Sequence, residues 1–125
     1  PRMVPRPAPT TGLVGNPEHL AAIAEGLVAV LHGPTGTAQA VGRDSPFLVA
    51  GKTGTAQVRS TPRSGTRPNS TERRLQNMAL FMGYAPADAP TIAVAVVVEF
   101  GGSGSRAAAP VAKRILDAWL LPPGT

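Results

Sequence analysis

The chain has 125 residues, with 12 Lys and Arg against 7 Asp and Glu and no cysteine. That length suits one modest domain; disulfides and thiolate metal sites are excluded, and two histidines, His19 and His32, are too few and too isolated for a histidine-rich metal centre. No run of about 18 apolar residues is present, so no stretch of this sequence can span a membrane as a helix, while a start at Pro1 rather than Met leaves room upstream for a signal peptide or anchor.

Residues 1–15 read as an extended lead-in, because Pro1, Pro5, Pro7 and Pro9 deny the segment a helix. Asn16 then supplies an N-cap, Pro17 a first helical residue and Glu18 a negative charge at the positive end of the dipole. Leu20, Ile23, Ala24, Leu27, Val28 and Leu31 follow at helical spacing and form one apolar face. Gly33-Pro34 stops this helix, predicted over 16–33. The stretch GPTGTAQAVG is predicted as loop, and His19 and His32 as surface or capping residues.

Phe47–Val58 is the first predicted strand. Residues 59–76 are predicted as a long polar loop. Within them, Arg59 to Arg74 hold five Arg against one Glu. Of the net charge of +5, this stretch carries +4 and the remainder only +1. A solvated segment is the expected reading; electrostatic attraction to an anionic partner such as lipid phosphates is the alternative. Nucleic acid is not expected as a partner, because the loop has no interleaved aromatics.

Met78–Ala85 and Thr91–Phe100 are predicted to pair as a hairpin around PADAP, spanning 78–100. In the last strand Ile92, Val94, Val96 and Val98 make a face of large residues, and Ala93, Ala95 and Val97 a smaller one. Both faces are apolar, so both call for cover. The smaller face is expected to receive a C-terminal helix over 105–121, in which Val111, Ile115, Trp119, Ala112 and Leu116 line an apolar stripe. Trp119 is expected as a core anchor and Glu99 as a strand-end residue pairing locally. Pro110 fits that helix only in its first turn, and Pro122-Pro123 ends it. The fold class is therefore α+β, an antiparallel sheet flanked by helices. Its last strand reads as a central one lacking a neighbour, as in the C-terminal portion of a larger domain.

Candidate chemistry lies in Lys52-Thr53-Gly54-Thr55, which interrupts an apolar strand. Thr53 and Thr55 alternate onto one face and can both donate to a carboxylate. Gly54 leaves the backbone open to a ligand, and the Thr55 N–H can point at a reacting carbonyl oxygen. Lys52 adds positive charge, although a period of two sets it on the other face. These are the pieces of an anion-binding strand edge.

Lys-Thr-Gly is also the third signature of the penicillin-recognising serine enzymes. Together with NMALFMGYAP, TIAVAVVVEFGGSGSRAAAPVAKRILDAWL and the preceding NPEHLAAIAEGLVAVLHGPTGTA, the chain resembles the end of a class B penicillin-binding protein. VVEFGGSGSRAAAP resembles the elongation-type group, penicillin-binding protein 2, which carries Asn where Phe100 stands. The resemblance implies a penicillin-binding transpeptidase (serine β-lactamase-like) fold and peptidoglycan D,D-transpeptidase activity without metal or cofactor. Lys52 would hydrogen-bond toward a Ser-x-Asn serine. Thr53 and Thr55 would hold the terminal carboxylate of a stem peptide or a β-lactam, and the Thr55 N–H would be half of an oxyanion hole. The peptide would add to this strand as another strand.

Neither Ser-x-x-Lys nor Ser-x-Asn occurs in the 125 residues, so the nucleophile is expected upstream, in the rest of the same domain. The resemblance further implies the periplasmic face of a bacterial inner membrane and a membrane glycosyltransferase as partner. Two alternatives stand beside it. One is a serine β-lactamase or β-lactam sensor domain of the same fold; the other is a small basic binding module with a chance Lys-Thr-Gly.

Overall fold

The structure, a computed structural model, describes residues 15–57 and 77–122. The lead-in up to residue 14, Val58 and the basic loop 59–76 lie outside the described residues.

Helix α1 spans Pro17–His32. Its ends follow the predicted signals: the Asn16 side chain accepts the Glu18 N–H at 2.9 Å, and the Gly33 N–H closes on the Ala29 carbonyl. Its apolar face is used unevenly. Leu31 is buried and Val30 packs beside it, but Leu20 and Ile23 at the opposite end are exposed. The segment predicted as loop contains one short helix, α2, Gln39–Gly42. Four residues ending in glycine carry almost no helical signal of their own. Contact holds α2 in place: a β-carbon on Gly42 would stand 2.3 Å from the Leu31 carbonyl oxygen.

Three strands follow, β1 Ala50–Gln57, β2 Asn77–Ala85 and β3 Ile92–Val98. They form an antiparallel sheet in the order β1-β2-β3, with Thr53 opposite Phe81 and Phe81 opposite Val96. Strand β1 starts three residues later than predicted, because Phe47, Leu48 and Val49 spend their backbone groups elsewhere. Ser45 Oγ donates to the Phe47 carbonyl, the Val49 N–H goes to His32 Nε2, and the Leu48 carbonyl accepts from the Ala87 N–H. Beyond Ala85 the partner strand meets Pro86, which has no N–H to offer the ladder.

After β3 the chain turns through Phe100, whose φ of 56° is left-handed, and Gly102. It then passes through a π-helical turn, Gly104–Ala108, into helix α3, Ala109–Leu120. Pro110 sits in the first turn of α3, as predicted.

One hydrophobic cluster joins these elements. It contains Leu31, Ala38, Val49, Ala79, Phe81, Ala85, Ala108, Ala109, Ala112 and Leu116, with Ile92, Val94, Val96 and Val98 packed against it. Helix α3 therefore covers the large-residue face of β3, not the smaller one as predicted. Four branched side chains bury more apolar area than two alanines and a valine, and burial stabilises in proportion to area. On the other face Met82 and Val97 remain 62% and 57% exposed. Trp119, predicted as a core anchor, is 67% exposed within this chain. Ala112 and Leu116 turn inward, whereas Val111, Ile115 and Trp119 turn outward. Glu99 is exposed and has no ion pair among the described residues, where the ion pair is Lys113–Asp117, one turn apart on α3.

Candidate functional site

The four residues Lys52 to Thr55 lie in the middle of β1. Among the described residues β1 pairs with β2 alone, which leaves its other edge open. Side chains directly opposite one another in an antiparallel sheet share a face. Thr53 therefore projects on the face that carries Phe81 and Val96, and Thr55 on the same face beside Ala79 and Val98. Lys52 stands opposite Met82, on the other face. The two hydroxyls converge as the sequence predicts, and the lysine diverges as strict alternation requires.

The length of the Lys52 side chain brings its ammonium to the strand edge, with Nζ donating to the Thr53 carbonyl at 2.6 Å. That contact sets the Thr53 carbonyl on the open side of β1. The backbone groups of residues two apart on a strand point the same way, so the Thr55 N–H shares the open side. Lys52 and Thr55 are exposed, while Thr53 and Gly54 are half-buried.

Gly54 has a closer reason to be glycine than ligand approach alone. A β-carbon there would stand 3.2 Å from Leu80 Cβ on the neighbouring strand, tighter than ordinary contact. Two further residues belong to the site, and sequence reasoning missed both. Thr37, on the turn between α1 and α2, places its Oγ1 2.9 Å from Thr53 Oγ1. Gly104 lies against the β1–β2 backbone at Gly54 and Leu80, next to Ser103 and Ser105, whose hydroxyls are 3.0 Å apart. No periodic or motif signal marks Thr37. The signal for Gly104 is only the glycine-rich run Gly101-Gly102-Ser103-Gly104.

His32 is neither a cap nor a free surface residue. It accepts the Val49 N–H at 3.0 Å, one residue before β1. Burial holds its pKa below the ordinary imidazole value of 6.5. Among the described residues, no group of three His, Asp or Glu is arranged to hold a metal ion.

The site is thus an open strand edge with two hydroxyls on one face, an ammonium beside the edge and an outward N–H. Such an edge can take an extended ligand as an added strand and hold an anionic group at its end.

Comparison with known proteins gives the family. The model of the penicillin binding protein transpeptidase domain matches residues 4–117. Peptidoglycan D,D-transpeptidase MrdA of Acinetobacter baumannii is 42% identical over 110 residues, which cover 86% of this chain and 16% of that protein. The crystal structure of Pseudomonas aeruginosa PBP2 in complex with WCK 5153 superposes with a TM-score of 0.75 at 43% identity, covering 99% of this chain and 24% of that one. Penicillin-binding protein A of Mycobacterium tuberculosis, as its imipenem acyl-enzyme complex, gives 0.57 at 31% identity, covering 85% of this chain and 20% of that one. The chain spans about a sixth of the length of the curated relative it matches. It belongs to the penicillin-binding protein transpeptidase domain family and corresponds to part of a PBP2-type domain.

Proposed function

We propose that this chain is the substrate-binding part of a peptidoglycan D,D-transpeptidase of the elongation type. The observation that carries the reading is the placement of Lys52-Thr53-Gly54-Thr55 on a sheet edge that no other described strand pairs, with both threonine hydroxyls on one face. A donor stem peptide lies antiparallel along β1. Its terminal carboxylate is held by the hydroxyls of Thr53 and Thr55, with the Lys52 ammonium adding positive potential at the edge.

The reaction is acyl transfer. A serine outside this sequence attacks the carbonyl of the penultimate D-alanine, and the terminal D-alanine leaves with a proton. An amine of a second stem peptide then attacks the ester and releases the serine. The developing oxyanion receives the Thr55 N–H. β-Lactams enter by the same edge and acylate the same serine; ring opening leaves the departing nitrogen tethered to the acyl group, so it stays in the cleft and hinders attack by the resolving amine. In this reading the protein acts on the periplasmic face of the inner membrane, anchored through a segment upstream, with a membrane glycosyltransferase that supplies the glycan strands as its partner.

The test is labelling of the full-length protein with a fluorescent penicillin. The reading expects one covalent label on a serine outside these 125 residues, blocked by excess unlabelled β-lactam. Absence of labelling by folded protein contradicts it.

A further inference from the structure

We propose that Thr37 is a positioning residue for the substrate-binding hydroxyl of Thr53. The inference rests on the reading of β1 as the carboxylate-binding edge. It adds a residue from outside the strand, brought there by the turn between α1 and α2.

That turn is fixed on several sides. The Gly36 N–H bonds to the Gly33 carbonyl, the Ala38 N–H to the Val30 carbonyl and the Gln39 N–H to the Gly36 carbonyl. The Gln39 side chain reaches back to the carbonyls of Gly33 and Pro34. Gly36 is pressed on the end of α1, so that a β-carbon there would stand 2.3 Å from the Val30 carbonyl oxygen. Ala38 is buried. Thr37 lies between these two anchored residues, and its Oγ1 stands 2.9 Å from Thr53 Oγ1.

A hydroxyl has one proton to give and can accept twice. Within the pair, one proton lies between the oxygens. If Thr53 gave its proton to Thr37, it would have none for a carboxylate. If Thr37 donates, Thr53 accepts and its own proton is free to donate outward. An arriving carboxylate selects the second arrangement, and the chain Thr37 to Thr53 to carboxylate is strengthened because each donor polarises the next. Thr37 also pins the Thr53 side-chain rotamer, so the hydroxyl is aimed before the ligand arrives.

The experiment measures the second-order acylation rate of the full-length protein by a labelled penicillin, resolved into binding and acylation steps, beside a melting curve for each variant. Thr37→Val removes the hydroxyl and keeps the shape, and Thr37 is exposed, so the fold is expected to hold. The rate falls about 3- to 12-fold, the worth of one neutral hydrogen bond, with the loss in the binding step. Thr37→Ser restores it to within about twofold. In a Thr53→Val background, Thr37→Val has no further effect. A purely structural role would instead lower the melting temperature and slow both backgrounds alike, which overturns the proposal. Should Thr37→Val fail to fold, Thr37→Ala reads the same quantity. If Thr53→Val is slow and Thr37→Val runs at the wild-type rate, Thr37 has no positioning role and the edge reading stands. If Thr53→Val itself runs at the wild-type rate, the edge reading falls first.

Discussion

A β-carbon on Gly104 would stand 2.4 Å from the carbonyl oxygen of Gly54. The π-helical turn that leads into α3 thus touches the backbone of the strand carrying Lys-Thr-Gly-Thr. The same β-carbon would meet the Leu80 carbonyl oxygen at 2.4 Å. Both neighbours are backbone atoms held in a strand pair and cannot swing aside. Gly104→Ala is therefore expected to cost about 1–3 kcal/mol of stability in the full-length protein, as overpacking does, and to slow acylation by displacing β1. Gly26 provides the contrast. It lies inside α1 with open space where a β-carbon would go, and Gly26→Ala is expected to stabilise by about 0.5–1 kcal/mol through helix propensity. Melting curves of the two variants check the pair; equal shifts would mean that the contact at Gly104 is not a constraint.

His32 ties stability to pH. Its imidazole accepts the Val49 N–H, and burial lowers its pKa from 6.5. Protonation supplies a proton where an acceptor is needed, so the folded state binds that proton less readily than the unfolded chain. The contribution is complete above the unfolded value of 6.5 and is lost as pH falls through the lowered folded value. Glu25 and Asp88 line the same groove as His32. The melting temperature of the full-length protein is expected to drop more steeply below about pH 6.5 than that of His32→Asn, which does not titrate there. Parallel curves for the two proteins would remove His32 from the account.

Phe100 occupies a left-handed backbone position, φ 56°, and is 63% exposed. A bulky residue there costs about 1–2 kcal/mol, which little ring burial offsets. Asn tolerates the conformation far better, which gives a physical reason for the Asn expected at this position in elongation-type relatives. Phe100→Asn is expected to stabilise by about 1 kcal/mol, read as a rise in melting temperature with acylation unchanged. A fall would show that the ring contributes packing.

The legible parts of the fold were those in which local chemistry decides. Asn16, Pro17 and Gly33 bound α1, and the apolar alternation of β3 with the Pro-bounded turn before it gave the hairpin. The motif strand was legible because a lysine and a glycine inside an apolar run need an explanation beyond packing. What failed depended on partners distant in sequence. Helix α2 is held by Leu31, not by its own propensity. Which face of β3 receives α3 turned on the difference between two apolar surfaces, and periodicity alone does not rank them. Trp119 looked like an anchor by size, yet α3 presents Ala112 and Leu116 to the sheet instead. Thr37 acts only through a turn that brings it 2.9 Å from Thr53 across 16 residues of chain.

The central claim is that β1 is the edge that holds the substrate carboxylate and stabilises the oxyanion. Its most direct test is Thr55→Ala in the full-length protein, read as the second-order acylation rate by a labelled penicillin. The substitution keeps the backbone N–H and removes one hydroxyl donor to a charged group, worth roughly 1.5–3 kcal/mol. Acylation is expected to slow by about 10- to 150-fold with an unchanged melting temperature, while Thr55→Ser stays near the wild-type rate. A Thr55→Ala protein that acylates at the wild-type rate would contradict the assignment of this strand as the carboxylate-binding edge.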